Sequence, residues 1–164
     1  MFGRRSGEHA ARAVIGNAHR NVTDAAAESD RKHIQALMAN GQEGDMFGKL
    51  RREVGETLNE HLAVFRNQEG MEEALGQIRG LKERYQSVFV PDKGKTFNTN
   101  LVFTLELGFM LDCAEAVSLS ALERKESRGA HSRTDYTTRD DENWLKHTLV
   151  SHSEDGPQFS TLPV

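Results

Sequence analysis

The chain has 164 residues, 28% of them charged, and a net charge of −4. That is the length of one domain with a real core, without the basic excess of a general nucleic-acid binder. No run reaches the roughly 18 apolar residues of a spanning helix, no basic-apolar-small progression at the start reads as a secretory signal, and the single cysteine, Cys113, excludes an internal disulfide or CxxC site and fits a reducing compartment.

Prolines stand only at 91, 157 and 163, so none interrupts a helix in residues 1–90. Residues 8–20 predict a short helix, rich in Ala and Arg. A second covers 24–39, with Asp24 as its N-cap, and ends in the turn-forming stretch Asn40–Gly44. Asp45 is placed to cap a third helix over 46–66. Its apolar stripe, Phe47, Leu50, Val54, Leu58, Leu62 and Phe65, steps by three and four residues. Asn67–Gly70 breaks the chain, and Met71, Leu75, Ile78, Leu81 (or Lys82), Tyr85 and Phe89 carry the same period to about residue 89. Short breaks between long amphipathic helices predict antiparallel neighbours.

Val90–Lys95 reads as a loop, after which Asn98 or Thr99 caps a helix running to about 124. Fifteen of the 22 residues in 101–122 are apolar, which predicts a helix covered on several sides at the centre of a bundle. Glu106, Asp112 and Glu115 mark its wet edge, and Cys113 is expected to be a buried, inert thiol. Gly48, Gly55, Gly76, Gly80 and Gly108 fall inside helices, where close helix–helix approach is the expected reason, against simple tolerance. Past residue 126 the helical period is lost. Leu145–Val150 and Gln158–Leu162 read as short strands, with a hairpin across Glu154–Gly156.

Residues 123–147 hold the densest charge. Six basic residues (Arg124, Lys125, Arg128, Arg133, Arg139, Lys146) meet six acidic ones (Glu123, Glu126, Asp135, Asp140, Asp141, Glu142), so the segment is no phosphate-binding arm. Taken by charge alone it reads as a solvated loop with weak surface pairs, ahead of a loop held in one shape by arginine–carboxylate forks. Gly129 permits a tight turn, and Trp144, the only tryptophan, would anchor the far end. The histidines show no HxxxH or HExxH spacing, so no metal site is expected. His131 reads as a hydrogen-bonded turn residue ahead of a charged contact to a neighbour. Ser127, His131 and Asp135 have the types of a nucleophilic triad but no nucleophile elbow.

The strings Arg124–Tyr136 and Arg139–Leu149 resemble the C-terminal signature of the succinate dehydrogenase/fumarate reductase flavoprotein subunit. More weakly they resemble L-aspartate oxidase, which shares Glu126-Ser127-Arg128-Gly129. The resemblance extends to Phe2–Gly7, similar to the exit from that family's flavin domain, to Val64-Phe65-Arg66 with Gly70-Met71-Glu72, to Phe97–Leu101 with Glu106-Leu107, and to Pro163-Val164. Thr138 departs from the family's usual proline. No GxGxxG fingerprint is present, and the family's flavin-linking histidine and substrate-binding arginine segment lie in parts this chain does not resemble.

The resemblance implies an all-α fold: an antiparallel three-helix, spectrin-repeat-like bundle with short N-terminal helices and an extended C-terminal tail carrying a loop and short strands. It divides the chain into 1–44 (remnant of the flavin-domain exit), 45–126 (bundle) and 127–164 (signature loop and tail). The complete flavoprotein would oxidise succinate or reduce fumarate with FAD and pass electrons to an iron–sulfur subunit and quinone. It would sit in the cytoplasm, peripheral to the inner membrane and anchored through other subunits. This chain alone would bind no FAD, hold no catalytic or metal-binding residue and show no activity. Glu126, Arg128, His131, Arg133, Asp135, Arg139, Asp140, Asp141 and Trp144 would brace the loop against the flavin domain or iron–sulfur subunit, with part of the charge network unsatisfied in their absence. A stand-alone helical binding module and the L-aspartate oxidase C-terminal domain are the alternatives.

Overall fold

A computed structural model describes residues 2–18, 23–153 and 156–164. The chain divides into two compact units, Met1–Gln35 and Ala36–Val164. In the first, helix α1 (Phe2–Val14) buries no residue and is followed by Gly16 at φ +80°. The helix predicted over 8–20 therefore starts earlier and stops sooner, and residues 19 and 20 lie outside the described part. A 3-10 turn (Asp24–Ala27) leads into α2 (Glu28–Ala39). Asp24 is the first residue of that turn rather than a helix cap.

The second unit begins with the last turn of α2. It continues through α3 (Phe47–His61), β1 (Phe65–Arg66), α4 (Gln68–Tyr85), α5 (Thr99–Glu123), β2 (Ser132–Arg133), α6 (Asp141–Trp144), β3 (Lys146–Ser151) and β4 (Gln158–Pro163). The main core joins Leu37, Leu50 and Val54 to Ile78, Leu81, Tyr85 and Val88 and to Leu107, Leu111 and Ala114. A smaller cluster joins Leu62, Met71, Ala74 and Ala121. Apart from Leu37 of α2 and Leu62 and Val88 just beyond α3 and α4, these are residues of α3, α4 and α5, brought together because each stripe must leave water.

Three boundaries differ from the sequence reading. Asp45 does not cap α3. Met46 holds that position without a side-chain bond, and the Asp45 carboxylate accepts from Lys49 at 2.6 Å and from Arg84 at 2.6 Å. Arg84 also pairs with Glu53, so a charge 39 residues away outcompetes the local cap. Helix α3 ends at His61, and Phe65 is 74% exposed. There the chain turns into β1, which pairs in parallel with β2 (Phe65 with Ser132, Arg66 with Arg133). Asn67–Gly70 is no break but the cap and first turn of α4: Asn67 Oδ1 accepts from Gly70 N at 2.8 Å. Phe89 lies beyond the end of that helix.

Asn98 caps α5, its Oδ1 accepting from Leu101 N at 2.8 Å. Just before it Phe97 holds φ +53° while 93% exposed. Helix α5 buries one face, Thr104, Leu107, Leu111, Ala114, Glu115, Ser118 and Ala121. Its opposite face is open, with Val102, Phe109 and Val117 exposed. Three expectations fail there, the first being that α5 is covered on several sides. Cys113 is exposed, because it points away from the Leu107–Leu111–Ala114 row. Glu115 is buried rather than at a wet edge, since Arg79 (3.0 Å) and Lys82 (2.7 Å) reach it from α4. Burial pushes the Glu115 carboxyl up, and the two hydrogen bonds pull it net downward. Of the five glycines expected to mark close approach, Gly108 does so, a Cβ there falling 2.7 Å from Tyr85 Oη, while Gly48, Gly55, Gly76 and Gly80 face open space. Strands β3 and β4 form the expected antiparallel hairpin, Lys146 opposite Pro163 and Ser151 opposite Gln158. Residues 154 and 155 of its turn lie outside the described part.

Candidate functional site

The charged segment is built around a carboxylate. Beyond Glu123 the chain extends, and Glu126 comes to lie fully buried. Arg128 donates to it through Nε (2.7 Å) and Nη2 (3.0 Å), Asp140 N donates at 2.9 Å, and Arg124 adds a third charged donor. Burial alone would push the carboxyl up. The hydrogen bonds from Arg128, from the Asp140 backbone and from Arg124 outweigh it and hold the group at about 2. Arg128 extends the chain of charges to Asp141 at 2.6 Å, and Arg139 forks onto Asp141 at 2.7 and 2.8 Å. Asp140 takes a different part. Its carboxylate caps α6, accepting from Asn143 N at 3.0 Å.

Arg133 is the second centre and the largest fully buried side chain. Its fork meets Asp135 with two bonds of 2.6 Å. Its Nη1 donates to the carbonyls of Ala121, Leu122 and Arg124 at 3.2–3.4 Å, so the side chain closes the C-terminus of α5, where helix carbonyls lack partners. The guanidinium also lies 4.8 Å from the Tyr136 ring centre. Hydrogen bonding to Arg133 brings the Asp135 carboxyl down to about 2. Asp135 in turn accepts from Gln68 N at 2.9 Å, and Thr134 N donates to Arg66 O at 2.9 Å. The loop is thereby stapled to the start of α4.

His131 sits in the tight turn that Gly129, at φ +59°, makes possible. Arg128 and His131 exchange backbone bonds of 2.8 and 3.0 Å across it. His131 Nε2 lies 3.0 Å from Arg124 O, which can only accept, so that nitrogen carries the proton and Nδ1 faces Arg66. Burial pushes its pKa down. Ser127 Oγ donates to Tyr136 O and accepts from Arg133 N. Ser127, His131 and Asp135 thus bond to other groups and form no triad. Trp144 is half-buried, with Arg124 and Lys146 over its ring at 5.2 and 4.8 Å.

The sequence reading did not single out Arg124 or Arg66. Arg124 joins Glu126 to the carbonyls of Trp144 (3.0 Å) and Lys146 (2.6 Å), tying the helix end to the hairpin. Its position directly after a long helix was the available signal. Nor is the network left open without a partner: Arg128, Arg133 and Arg139 all find carboxylates within the chain. Chemically the cluster is a brace. Its central carboxylates titrate near 2, far from a general acid or base at neutral pH. Among the described residues no group of three or more His, Cys, Asp or Glu is placed to hold a metal ion.

Residues 51–164 match the family model described as fumarate reductase flavoprotein C-term. The fumarate reductase flavoprotein subunit of Haemophilus influenzae is 41% identical over 168 residues, which takes in all of this chain and 28% of that protein. The succinate dehydrogenase flavoprotein subunit of Rickettsia conorii is 38% identical, covering 95% of this chain and 26% of that one. A solved structure of Escherichia coli quinol fumarate reductase superposes with a TM-score of 0.88 at 37% identity, over 99% of this chain and 28% of its own. The chain spans little more than a quarter of the length of these relatives and belongs, as a C-terminal domain, to the fumarate reductase and succinate dehydrogenase flavoprotein family.

Proposed function

We propose that this chain serves as the C-terminal helical domain of a flavoprotein that interconverts succinate and fumarate with FAD and exchanges electrons with quinone through an iron–sulfur subunit. The observation that carries this is the family match over residues 51–164 combined with its restriction to 28% of the relative's length. FAD belongs, in this reading, to the portion the relatives carry in addition. The described residues of this chain contain no strand, glycine-rich turn and helix from which a dinucleotide phosphate could be cradled. No step of hydride transfer is therefore assigned to them.

The domain's work is structural. Residues 45–126 form an antiparallel three-helix, spectrin-repeat-like bundle, a reading supported by the clusters that join opposite ends of α3 and α4. Residues 1–44 lead in from the flavin-bearing portion, and 127–164 form the signature loop and tail. Glu126, Arg128, His131, Arg133, Asp135, Arg139, Asp140, Asp141 and Trp144 shape a surface for the flavin-bearing portion or the iron–sulfur subunit. Their mutual pairing supports this, since it fixes the loop before any partner arrives. Among the described residues no helix is long and apolar enough to cross a membrane. In this reading the assembly lies at the cytoplasmic face of the inner membrane and other subunits anchor it.

The test is affinity purification of the tagged chain from its source cell. A flavin-bearing chain and an iron–sulfur protein should come down with it, while the chain alone should be colourless and inactive. A chain that captures neither, or that alone carries stoichiometric flavin, overturns the reading.

A further inference from the structure

Helix α5 is apolar on the side it buries and apolar again on the side it does not. Val102, Phe109 and Val117 are 51%, 69% and 55% exposed, and Cys113 between them is exposed as well. Positions 102, 106, 109, 113 and 117 recur at helical spacing and form one stripe about 23 Å long at 1.5 Å per residue. Glu106 is its only charge. The other two long helices differ. Away from the core α3 carries Arg51, Arg52, Glu56 and Glu60, and α4 carries Glu72, Glu73 and Glu83, all exposed. Those faces suit water. A stripe of Val, Phe, Cys and Val does not, and it has the composition of a permanent contact rather than a transient one.

Charge narrows the occupant. Helix α5 contains Glu106, Asp112, Glu115 and Glu123 and no Lys, Arg or His. A second copy of the same helix would add carboxylates to the seam with no cation to meet them. The fitting surface is apolar with a basic residue opposite Glu106. The relatives, which this chain matches over only 28% of their length, carry the rest of a flavoprotein in the same polypeptide, and a part tethered in the same chain meets this face at high effective concentration. We infer that the outward stripe of α5, centred on Phe109 and Cys113, is the seat of the flavin-bearing portion, against which Glu106 meets a basic residue. This rests on the function proposed above and adds to it which face is covered and by what chemistry.

The single cysteine supplies the probe. The free chain and the flavin-bearing assembly are each treated with iodoacetamide, and the Cys113 peptide is followed by mass spectrometry. Cys113 should react fully in the free chain and at least 100-fold more slowly in the assembly. Phe109→Asp should leave the melting temperature of the free chain within a few degrees, since the side chain lies outside both core clusters, yet lower recovery of the flavin-bearing portion at least tenfold; Phe109→Leu should restore it. An assembly that forms while Cys113 stays as reactive as in the free chain overturns the inference and leaves the proposed function standing. Failure of any flavin-bearing portion to associate overturns both. A free chain that dimerises and protects Cys113 assigns the stripe to a second copy and overturns the inference alone.

Discussion

Replacing Arg133 by methionine keeps the apolar stem and removes the guanidinium. Two consequences follow from its bonds. Asp135 loses two charge-assisted bonds of 2.6 Å and keeps backbone donors, among them Gln68 N at 2.9 Å. Breaking a buried pair from one side costs about 3–5 kcal/mol, and the 30% exposure of the Asp135 side chain places this case at the lower end, about 3. The carbonyls of Ala121, Leu122 and Arg124 lose a shared donor at 3.2–3.4 Å. These bonds are long and come from one nitrogen, so together they count as roughly one neutral bond, about 1 kcal/mol. The expected loss is about 4 kcal/mol, a large part of the roughly 5–15 that holds a domain of this kind. Urea unfolding at pH 7 followed by far-UV circular dichroism reads it directly. Arg133→Lys should recover less than half, because one ammonium cannot both fork onto Asp135 and reach the helix end. Arg139→Met is the control: that pair with Asp141 is largely exposed and should cost less than about 1 kcal/mol. If Arg133→Met stays within about 1 kcal/mol of the parent, the side chain is not what closes α5.

Acid should unfold the chain through the same cluster. Glu126 and Asp135 ordinarily titrate at 4.5 and 3.8 but sit at about 2 in the folded chain. Their stabilisation is present above about pH 4.5 and disappears as pH falls towards 2, with two protons taken up on unfolding and a slope near 2.7 kcal/mol per pH unit. Glu126→Gln should take one proton, about 1.4 kcal/mol per pH unit, off the measured slope, to which other lowered carboxyls such as Asp141 also contribute. Leu111→Asp should unfold the chain, since it puts a charge into the main core, whereas Leu105→Asp, at the partly buried edge of that core, should lower the melting temperature and leave a cooperative transition. Gly76→Ala, which meets open space, should stabilise by about 0.5–1 kcal/mol. Gly108→Ala should destabilise by about 1–2, because its Cβ would fall 2.7 Å from Tyr85 Oη. Phe97→Gly should stabilise by about 0.5–1 kcal/mol, relieving a left-handed backbone at a side chain that is 93% exposed; a loss of stability would show that the ring packs on something in solution.

The long helices were legible because their signal is local. The rows Leu50–Val54, Met71–Ile78–Tyr85 and Leu107–Leu111 repeat every three or four residues, and that alone decides which face leaves water. What stayed hidden depends on distant partners. Phe65 fits the stripe of α3 by spacing, yet it lies in a strand that pairs with Ser132. Asp45 has the right chemistry and position for a cap, but Arg84 claims it. Cys113 lies in a run so apolar that its periodicity carries no phase, and the sequence could not say which side of α5 the rest of the chain would cover. The signature loop was the reverse case. Its residues were identifiable by resemblance, while their pairing was not, because balanced charges at close spacing admit many matchings and burial selects one.

That selected pairing bears on how the domain meets a partner. Arg124 joins the end of α5 to the hairpin, Arg133 closes the same helix end, and Asp135 and Thr134 fix the loop to the start of α4. Each centre ties together segments that are far apart in sequence, so the loop's shape is set by the fold and not by whatever binds it. An unpaired loop of this length would lose conformational freedom on docking, at about 0.5–1.5 kcal/mol for each immobilised side chain. A loop already held by Glu126, Asp135 and Asp141 has lost that freedom on folding. In the role proposed above, its outward groups, Arg139 and Asp141 among them, are left to supply orientation and charge register to the contact. The apolar stripe of α5 is, in the inference drawn above, the source of the area, through side chains such as Phe109 that lie outside the chain's own core clusters. A surface of this kind, rigid in its charges and uncovered in its apolar part, is what a domain needs when its task is to hold another part of a protein in place.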